Sequence, residues 1–201
     1  SVVGIMDLGQ KSKKDPAITA IACASALLST LASLMLFAMV LGASSFDLLK
    51  SVALPLSMGG LSLLAMSVLL FQRHPFPSEL TLTATQDAFQ LKHVFIIAFS
   101  ISSISLASSW IGYVFGQTGT LISAVIIGFA EIHAAAFSIS QLERQSPELA
   151  QLAQWGVIGI LTASVISKSV LSVVGGGKDY GFKMASALVI FMTVTALGLL
   201  F

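Results

Sequence analysis

The sequence predicts an all-α, polytopic integral membrane protein, a helical bundle with about six transmembrane helices. Of its 201 residues, 56% are hydrophobic and 9% are charged, whereas a soluble globular domain has about 25% charged residues. The mean hydropathy is +0.95. The apolar runs are continuous rather than alternating, which favours helices over a β-barrel because backbone groups in lipid must hydrogen-bond within the protein. We expect residues 1–201 to form a single transmembrane domain.

Six apolar segments each approach the roughly 20 residues that an α-helix needs to cross about 30 Å of hydrocarbon. Their approximate limits are 17–43, 48–72, 92–116, 118–141, 149–173 and 182–201. Each segment is therefore predicted to be one transmembrane helix.

The residues between these segments support the limits. Asp15-Pro16 and Ser146-Pro147 each place a capping side chain before a proline at the first helical position, which is typical of a helix start. The stretch 175–179, with three consecutive glycines, predicts a helix end and a turn, and 116–119 predicts a very tight turn.

The positive charges of the loops predict the orientation. With six spans, one side of the membrane would hold Lys11, Lys13, Lys14, Arg73, Lys92 and Arg144. The other side would hold Lys50, Lys178 and Lys183. By the positive-inside rule the first set is cytoplasmic. We therefore expect both termini, including the C-terminus, in the cytoplasm.

Two further patterns concern the start of the chain and an internal repeat. The first ten residues, SVVGIMDLGQ, are typical of the last turns of a helix rather than of a signal peptide, so we expect a C-terminal fragment with at least one more span upstream. An offset of 131 residues aligns Gln10 with Gln141 and Asp15-Pro16 with Ser146-Pro147. Residues 1–72 are thus candidates for a structural repeat of 132–201, and a substrate site would lie between the repeats.

Glu131 is the first candidate functional residue, because it lies near the middle of an apolar run. A carboxylate at bilayer depth is costly unless it is paired, protonated or in contact with water. In a regular helix Glu131 shares a face with small residues such as Ala124, Gly128 and Ala135, so it should point toward protein. It would then either fasten two helices or take part in an ion or proton pathway.

His133 follows two residues later, about 200° around a regular helix from Glu131. A regular helix cannot direct both side chains at one metal ion, so the metal is left unknown. Unless the helix breaks near Gly128, His133 is predicted to be a hydrogen-bonded packing residue.

Lys168 is the natural counter-charge for Glu131, although it is also within reach of the membrane surface by extending its side chain. Snorkelling and pairing with Glu131 both stay open. Ser164 lies on the same helix face as Lys168, which indicates a polar seam on the fifth predicted span.

The third predicted span is rich in serine. Ser105 and Ser109 belong to a stripe of hydroxyl groups on one helix face, which is either a close packing surface or the wall of a wetted path. Gly112 and Gly116 have the GxxxG spacing that favours a tight helix crossing or a homodimer contact.

Three ordered segments, DPAITAIACASALLS, GFAEIHAAAFSISQL and LTASVISKSVLSVVGG, carry a family resemblance. The chain resembles the C-terminal membrane domain of unknown function found in two-part MgtC/SapB-type bacterial membrane proteins. Gly128, Glu131 and Lys168 match that family's pattern, and His133 replaces its second acidic residue. The resemblance implies a multi-pass protein of the bacterial inner membrane that is suspected of transport.

Several function classes find no support in the sequence. A net charge of +1 provides no basic surface for nucleic acid, and the single cysteine, Cys23, offers neither a disulfide nor a thiolate cage. There is no Walker loop, catalytic triad, HExxH or CxxC pattern, so we expect neither an enzyme nor a bound cofactor.

Two function classes stay open. The first is a transporter or permease domain that moves a small cation or proton through Glu131, with His133, Lys168, Ser105, Ser109 and Ser164 along the pathway. The second is a non-transporting membrane scaffold or regulatory module that binds a partner through its small-residue helix faces. In both, the lipid bilayer is the first partner, and the sequence names neither the ion nor the oligomer.

Overall fold

The computed structural model describes residues 2–73, 91–145 and 149–200, and these ranges are almost entirely helical, without a strand. The elements, in chain order, are α1 (Val2–Lys14), a 3-10 turn (Pro16–Ile18), α2 (Thr19–Ser44), α3 (Phe46–Arg73), α4 (Leu91–Ala130), α5 (Ile132–Gln145), α6 (Ala150–Leu197) and a last 3-10 turn (Gly198–Leu200). The predicted all-α class is confirmed.

The predicted helix start at Asp15-Pro16 is confirmed. Asp15 is extended, with φ −132° and ψ 97°, and Pro16 occupies the first position of the turn that leads into α2. The Asp15 carboxylate accepts a hydrogen bond from the Ala17 N–H at 3.0 Å, which satisfies one of the free donors at this helix end. The corresponding start at Ser146-Pro147 lies outside the described residues.

Helix α6 contains a chain reversal at Gly177, which has φ 76° and ψ −171°. A Cβ built on Gly181 would lie 2.7 Å from the Cα of Val173. Residues eight apart in a continuous helix are separated by about 12 Å. The helix therefore consists of two packed arms, 150–176 and 178–197, as the glycine-rich stretch predicted.

Helix α4 reverses in the same way at Gly116, with φ 63° and ψ −145°. A Cβ on Gly119 would lie 2.8 Å from the carbonyl oxygen of Ile111, again eight residues earlier. The tight turn predicted at 116–119 is confirmed. Gly116 thus ends an arm, and no atom of the described residues lies within 4 Å of a Cβ built there.

The structure does not show six separate spans. In the described residues, three helical stretches are long and apolar enough to cross a membrane, namely Pro16–Ser44, Phe46–Gln72 and Ala150–Leu197. The last contains almost all of both predicted segments, 149–173 and 182–201. Segment 118–141 is not a single helix, because only Thr118–Phe129 is continuous and apolar before the helix is interrupted at Glu131. Such a length is short of the roughly 20 residues that a span requires.

The core lies between α2, α3 and α6. Leu27 and Phe37 of α2, Leu63 of α3, and Tyr180 and Leu188 of α6 are fully or almost fully buried. Tyr180 also donates a hydrogen bond from its hydroxyl to the carbonyl oxygen of Ile5 at 3.1 Å, so α1 is fastened to the second arm of α6.

Two ends of this bundle can be defined from contacts. At the Gly177 end, the Cys23 thiol near the start of α2 contacts the Tyr180 carbonyl oxygen at 3.8 Å. At the Ser45 end, α2 passes into α3, and a Cβ on Gly198 would lie 2.7 Å from the Cα of Pro55. Helix α2 therefore starts where the first arm of α6 ends.

This arrangement corrects the predicted distribution of loop charges. Lys14 precedes the start of α2 and Lys178 follows Gly177, so both lie at the Gly177 end rather than on opposite sides. The prediction separated them because it treated 118–141 as one continuous helix, whereas that segment is interrupted at Glu131.

Substituting Gly177 with alanine is expected to lower the free energy of unfolding by about 1–3 kcal/mol, because only glycine readily adopts this positive-φ region. Unfolding of the detergent-solubilised protein would measure this change. Gly4→Ala is the matched control, since no atom lies within 4 Å of a Cβ built there. Helix propensity alone should make that variant more stable by up to about 1 kcal/mol, and equal effects of the two substitutions would contradict the strained turn.

Candidate ion and proton site at a helical hairpin

Glu131 is a one-residue junction between α4 and α5. Its N–H donates to the Ile127 carbonyl at 2.7 Å, and its own carbonyl accepts from the Ala135 N–H at 3.4 Å. Ser45 makes the same two kinds of bond between α2 and α3, where the chain also turns. Glu131 therefore ends one helix and begins the next.

The second arm of α4 and helix α5 fold against each other as a helical hairpin. A Cβ built on Gly156 of α6 would touch the side chains of both Leu121 and Ile139. In one straight helix these two residues would be about 27 Å apart. Glu131 thus lies at the tip of the hairpin, which comprises residues 117–145.

The hairpin is held against the first arm of α6 by close backbone packing. A Cβ on Gly128 would lie 3.1 Å from both the Cα and the carbonyl oxygen of Ile160. Ala124 and Ala135, on the two sides of the tip, are completely buried. Glu131 therefore lies between small, buried residues of the two helices.

The Glu131 carboxylate has two kinds of partner at the tip. One oxygen, Oε2, accepts a hydrogen bond from the Ala134 N–H at 2.5 Å and so caps α5. The other, Oε1, makes a short contact with Nδ1 of His133. The prediction that the two side chains point away from each other was wrong, because the helix is interrupted at Glu131 itself.

His133 also contacts a second helix. Its Nε2 lies 3.3 Å from the carbonyl oxygen of Ser33 on α2. A carbonyl oxygen only accepts hydrogen bonds, so Nε2 must carry a hydrogen. The neutral ring then has a bare Nδ1 facing a carboxylate oxygen, and two such acceptors need a proton between them. This contact therefore holds one proton, on either the imidazole or the carboxyl group, and the pair has no net charge.

The Glu131–His133 pair is partly exposed. The Glu131 side chain is 20% exposed and that of His133 is 30% exposed. Both side chains therefore keep fixed protein partners while part of each stays exposed.

Lys168 lies neither at the membrane surface nor beside Glu131, the two environments that were predicted. It is 2% exposed, so it does not snorkel. It makes no ion pair with Glu131, since the ion pairs of the described residues are Lys11–Asp7, Lys50–Asp47 and His133–Glu131. Lys168 instead lines a small cavity beside the hairpin tip, together with Ser164 and Ile132.

The remaining predicted site residues divide into two groups. Ser164 is 5% exposed and lies beside Lys168, as the predicted polar seam requires. The side chains of Ser105 and Ser109 lie outside the described residues, so their place along a pathway stays a prediction.

Sequence reasoning missed three neighbours of the tip. Ser33 provides the carbonyl that orients His133, while Thr30 and Ile132 border the Lys168 cavity. Ser33 contributes through a backbone carbonyl, Thr30 through a hydroxyl and Ile132 through an apolar side chain. None of these groups is conspicuous in an apolar sequence. Among the described residues, no group of three His, Cys, Asp or Glu side chains comes together as a metal site.

A family model described as a domain of unknown function, DUF4010, matches residues 1–176. The chain belongs to the DUF4010 family. The match includes the hairpin, its Glu131–His133 pair and Lys168. No curated protein and no solved structure matches the chain, so this membership assigns no activity.

Proposed function

We propose that this DUF4010 chain is a membrane transport domain that moves a small ion, a proton or another cation, with the Glu131–His133 pair as the carrier. The observation behind the proposal is the contact between two titratable side chains at the tip of a hairpin. Ionisable groups at membrane depth are costly, and they commonly mark ion pathways and proton relays.

The chemistry of the pair supports exchange of a positive charge. With its proton present, the pair is neutral and hydrogen-bonded. Once the proton leaves, the Glu131 carboxylate and the bare Nδ1 of His133 face each other, and two acceptors in contact repel. A monovalent cation placed between them relieves this repulsion, as does return of the proton. The pair can therefore hold either a proton or a cation.

The hairpin geometry also supports transport. We propose that residues 117–145 form a re-entrant hairpin whose tip reaches the middle of the membrane. Backbone that turns at this depth is tolerated where it is buried in protein or lines a water-filled cavity. Gly128 packs against α6 and His133 contacts α2, so the tip is enclosed by protein on two sides.

The proposed repeat fits the same scheme. Residues 1–72 and 132–201 each contain a short helix followed by two long helices that meet at a tight turn. Helix α2 starts at the Gly177 end, where the first arm of α6 finishes, so the proposed repeats run in opposite directions. In transporters built from inverted repeats, the site lies near the midplane between them. We place Lys168 and Ser164, along with Ser105 and Ser109, around this pathway.

The charge distribution suggests the predicted cytoplasmic side for Lys11, Lys13 and Lys14, but the opposite side for the C-terminus. The Gly177 end has Lys11, Lys13, Lys14, Lys178 and Lys183, whereas Lys50 follows the turn at the Ser45 end. The positive-inside rule then places the Gly177 end in the cytoplasm and the C-terminal turn 198–200 on the other side. We propose that each arm of α6 crosses the membrane and that the protein resides in the bacterial inner membrane, linked to MgtC/SapB-type proteins.

A scaffold function is the alternative, and one surface favours it. Helices α2 and α3 border an apolar groove of ≈ 530 Å³, lined partly by the small residues Ala38, Ala53, Ser57 and Gly60. Small residues allow another helix to approach closely. The groove is compatible with a lipid chain, a second copy or a partner helix.

Reconstitution into liposomes separates the two functions. We expect the purified protein to dissipate an imposed proton or sodium gradient faster than protein-free liposomes of the same composition, measured with pH- and sodium-sensitive dyes. An ionophore sets the maximum signal, and heat-denatured protein controls for leakage. Absence of flux for protons, sodium and potassium would reject transport and leave the scaffold function.

A further inference from the structure

The cavity beside the hairpin tip contains an unusual combination of groups. It is bordered by α2, α5 and both arms of α6, through Thr30, Ile132, Lys168 and Phe191. The space available to the centre of a water-sized sphere is ≈ 10 Å³. This is about the room needed for one water molecule, so the cavity suits a monatomic occupant.

Among the described residues that line the cavity, Lys168 is the only charged one, and it is 2% exposed. Among the described side chains, no carboxylate lies within 4 Å of its Nζ, since the three ion pairs found there involve other residues. The Glu131 carboxylate is already bound to His133 and to the Ala134 N–H. A buried ammonium without a counter-charge is strongly unfavourable, so Lys168 keeps its charge here only if a negative charge lies beside it.

One other feature favours an anion at this place. Ser164 lies one turn before Lys168 on the same cavity wall, and its hydroxyl can donate a hydrogen bond. Thr30 provides no donor here, because its hydroxyl donates to the Ala26 carbonyl at 2.9 Å.

The rest of the cavity wall determines which anion fits. It consists of the apolar side chains of Leu34, Leu161, Val165 and Phe191, together with Ile132. Sulfate and phosphate exceed a space for one water and need many more donors. A monovalent, weakly hydrated ion matches both the size and the apolar wall. The neutral Glu131–His133 pair adds no net negative charge that would repel such an ion.

We propose that this cavity binds one halide ion, chloride under physiological conditions, between the Lys168 ammonium and the Ser164 hydroxyl, next to Ile132. The ion balances the buried charge of Lys168 and fixes the hairpin tip against α2 and α6. This site is distinct from the cation-carrying pair and does not depend on the transport proposal.

Thermal unfolding at constant ionic strength tests the site. We expect the melting temperature of the wild-type protein to rise in a saturable manner when chloride or bromide replaces gluconate, because a ligand that binds only the folded state stabilises it. Lys168→Met should abolish this halide response, and Ser164→Ala should weaken apparent halide affinity several-fold. Lys50→Met is the matched control, since that side chain is 62% exposed, and it should respond as the wild type does.

Crystals grown in bromide give a second measurement that needs no variant. An anomalous peak beside the Lys168 Nζ is expected. The proposal is overturned if the peak is missing, if Lys168→Met keeps the halide response, or if the melting temperature follows the cation instead of the anion. The last two outcomes would indicate a neutral amine beside a water molecule or a cation.

Discussion

Replacement of Glu131 with glutamine is expected to reduce ion flux in liposomes on the order of 100-fold, the size of effect that follows loss of a positioned proton-transfer group. Glutamine retains a side-chain oxygen that can accept the bond from the Ala134 N–H, which Glu131 accepts at 2.5 Å. The start of α5 should therefore stay capped. The glutamine side chain cannot release or rebind a proton, so the variant loses proton exchange with His133.

The control for this substitution is Asp47→Asn, which also removes one negative charge but at a side chain that is 86% exposed. Its flux should equal that of the wild type. Thermal unfolding of both variants should show that neither has lost its fold. Unchanged flux in Glu131→Gln, with a folded protein, would remove Glu131 from the pathway.

The double variant tests whether Glu131 and His133 act together in one step. His133→Gln alone should also reduce flux, because the carboxylate then has no partner that can share a proton. Side chains in direct contact have strongly non-additive effects. Adding His133→Gln to Glu131→Gln should therefore cause little further loss. Multiplicative losses would show that the two residues act in separate steps.

The apolar helices were predictable because their signal is local. Continuous hydrophobicity placed α2 and α3 within a few residues of their bounds, and the glycines of 175–177 predicted the reversal of α6. Asp15-Pro16 predicted a helix start that depends on the Asp15 carboxylate and the Pro16 ring. In each example the residues that cause the structure lie within a few positions of it.

The hairpin could not be predicted in this way. Hydropathy continues through 118–141, so the sequence predicted one span where the structure has two short helices. The chain folds back at Glu131 because it packs against α6. Gly156 of α6 leaves room for both Leu121 and Ile139, and Ile160 of α6 contacts Gly128. These contacts join residues distant in sequence, and no pattern around Glu131 reports them.

The candidate site shows the same division between local and distant causes. Glu131 and Lys168 were identified because charge is conspicuous in an apolar sequence. Their partners were not, since the expected angle between Glu131 and His133 assumed a regular helix. Lys168 was expected either at the surface or beside Glu131, and tertiary packing instead buried it at a cavity of its own.

Substituting Gly128 with alanine is expected to lower the free energy of unfolding by about 1–3 kcal/mol, the usual cost of adding atoms to a tightly packed contact. The added Cβ would lie 3.1 Å from backbone atoms of Ile160, and backbone cannot move aside as a flexible side chain can. Relief of this contact requires the hairpin to shift away from α6. The tip, with Glu131 and His133, would shift with it.

Flux should therefore fall together with stability, on the order of 10-fold or more, because displacement of a positioned group by about 1 Å can cost 100-fold in its chemistry. Gly60→Ala is the matched control, since a Cβ there would meet the flexible Leu31 side chain at an ordinary 3.4 Å. That variant should keep its flux and gain slightly in helix stability. If Gly128→Ala behaved like Gly60→Ala in both measurements, the close contact between hairpin and α6 would not position the tip, and the pair at Glu131 and His133 would owe its geometry to α2 alone.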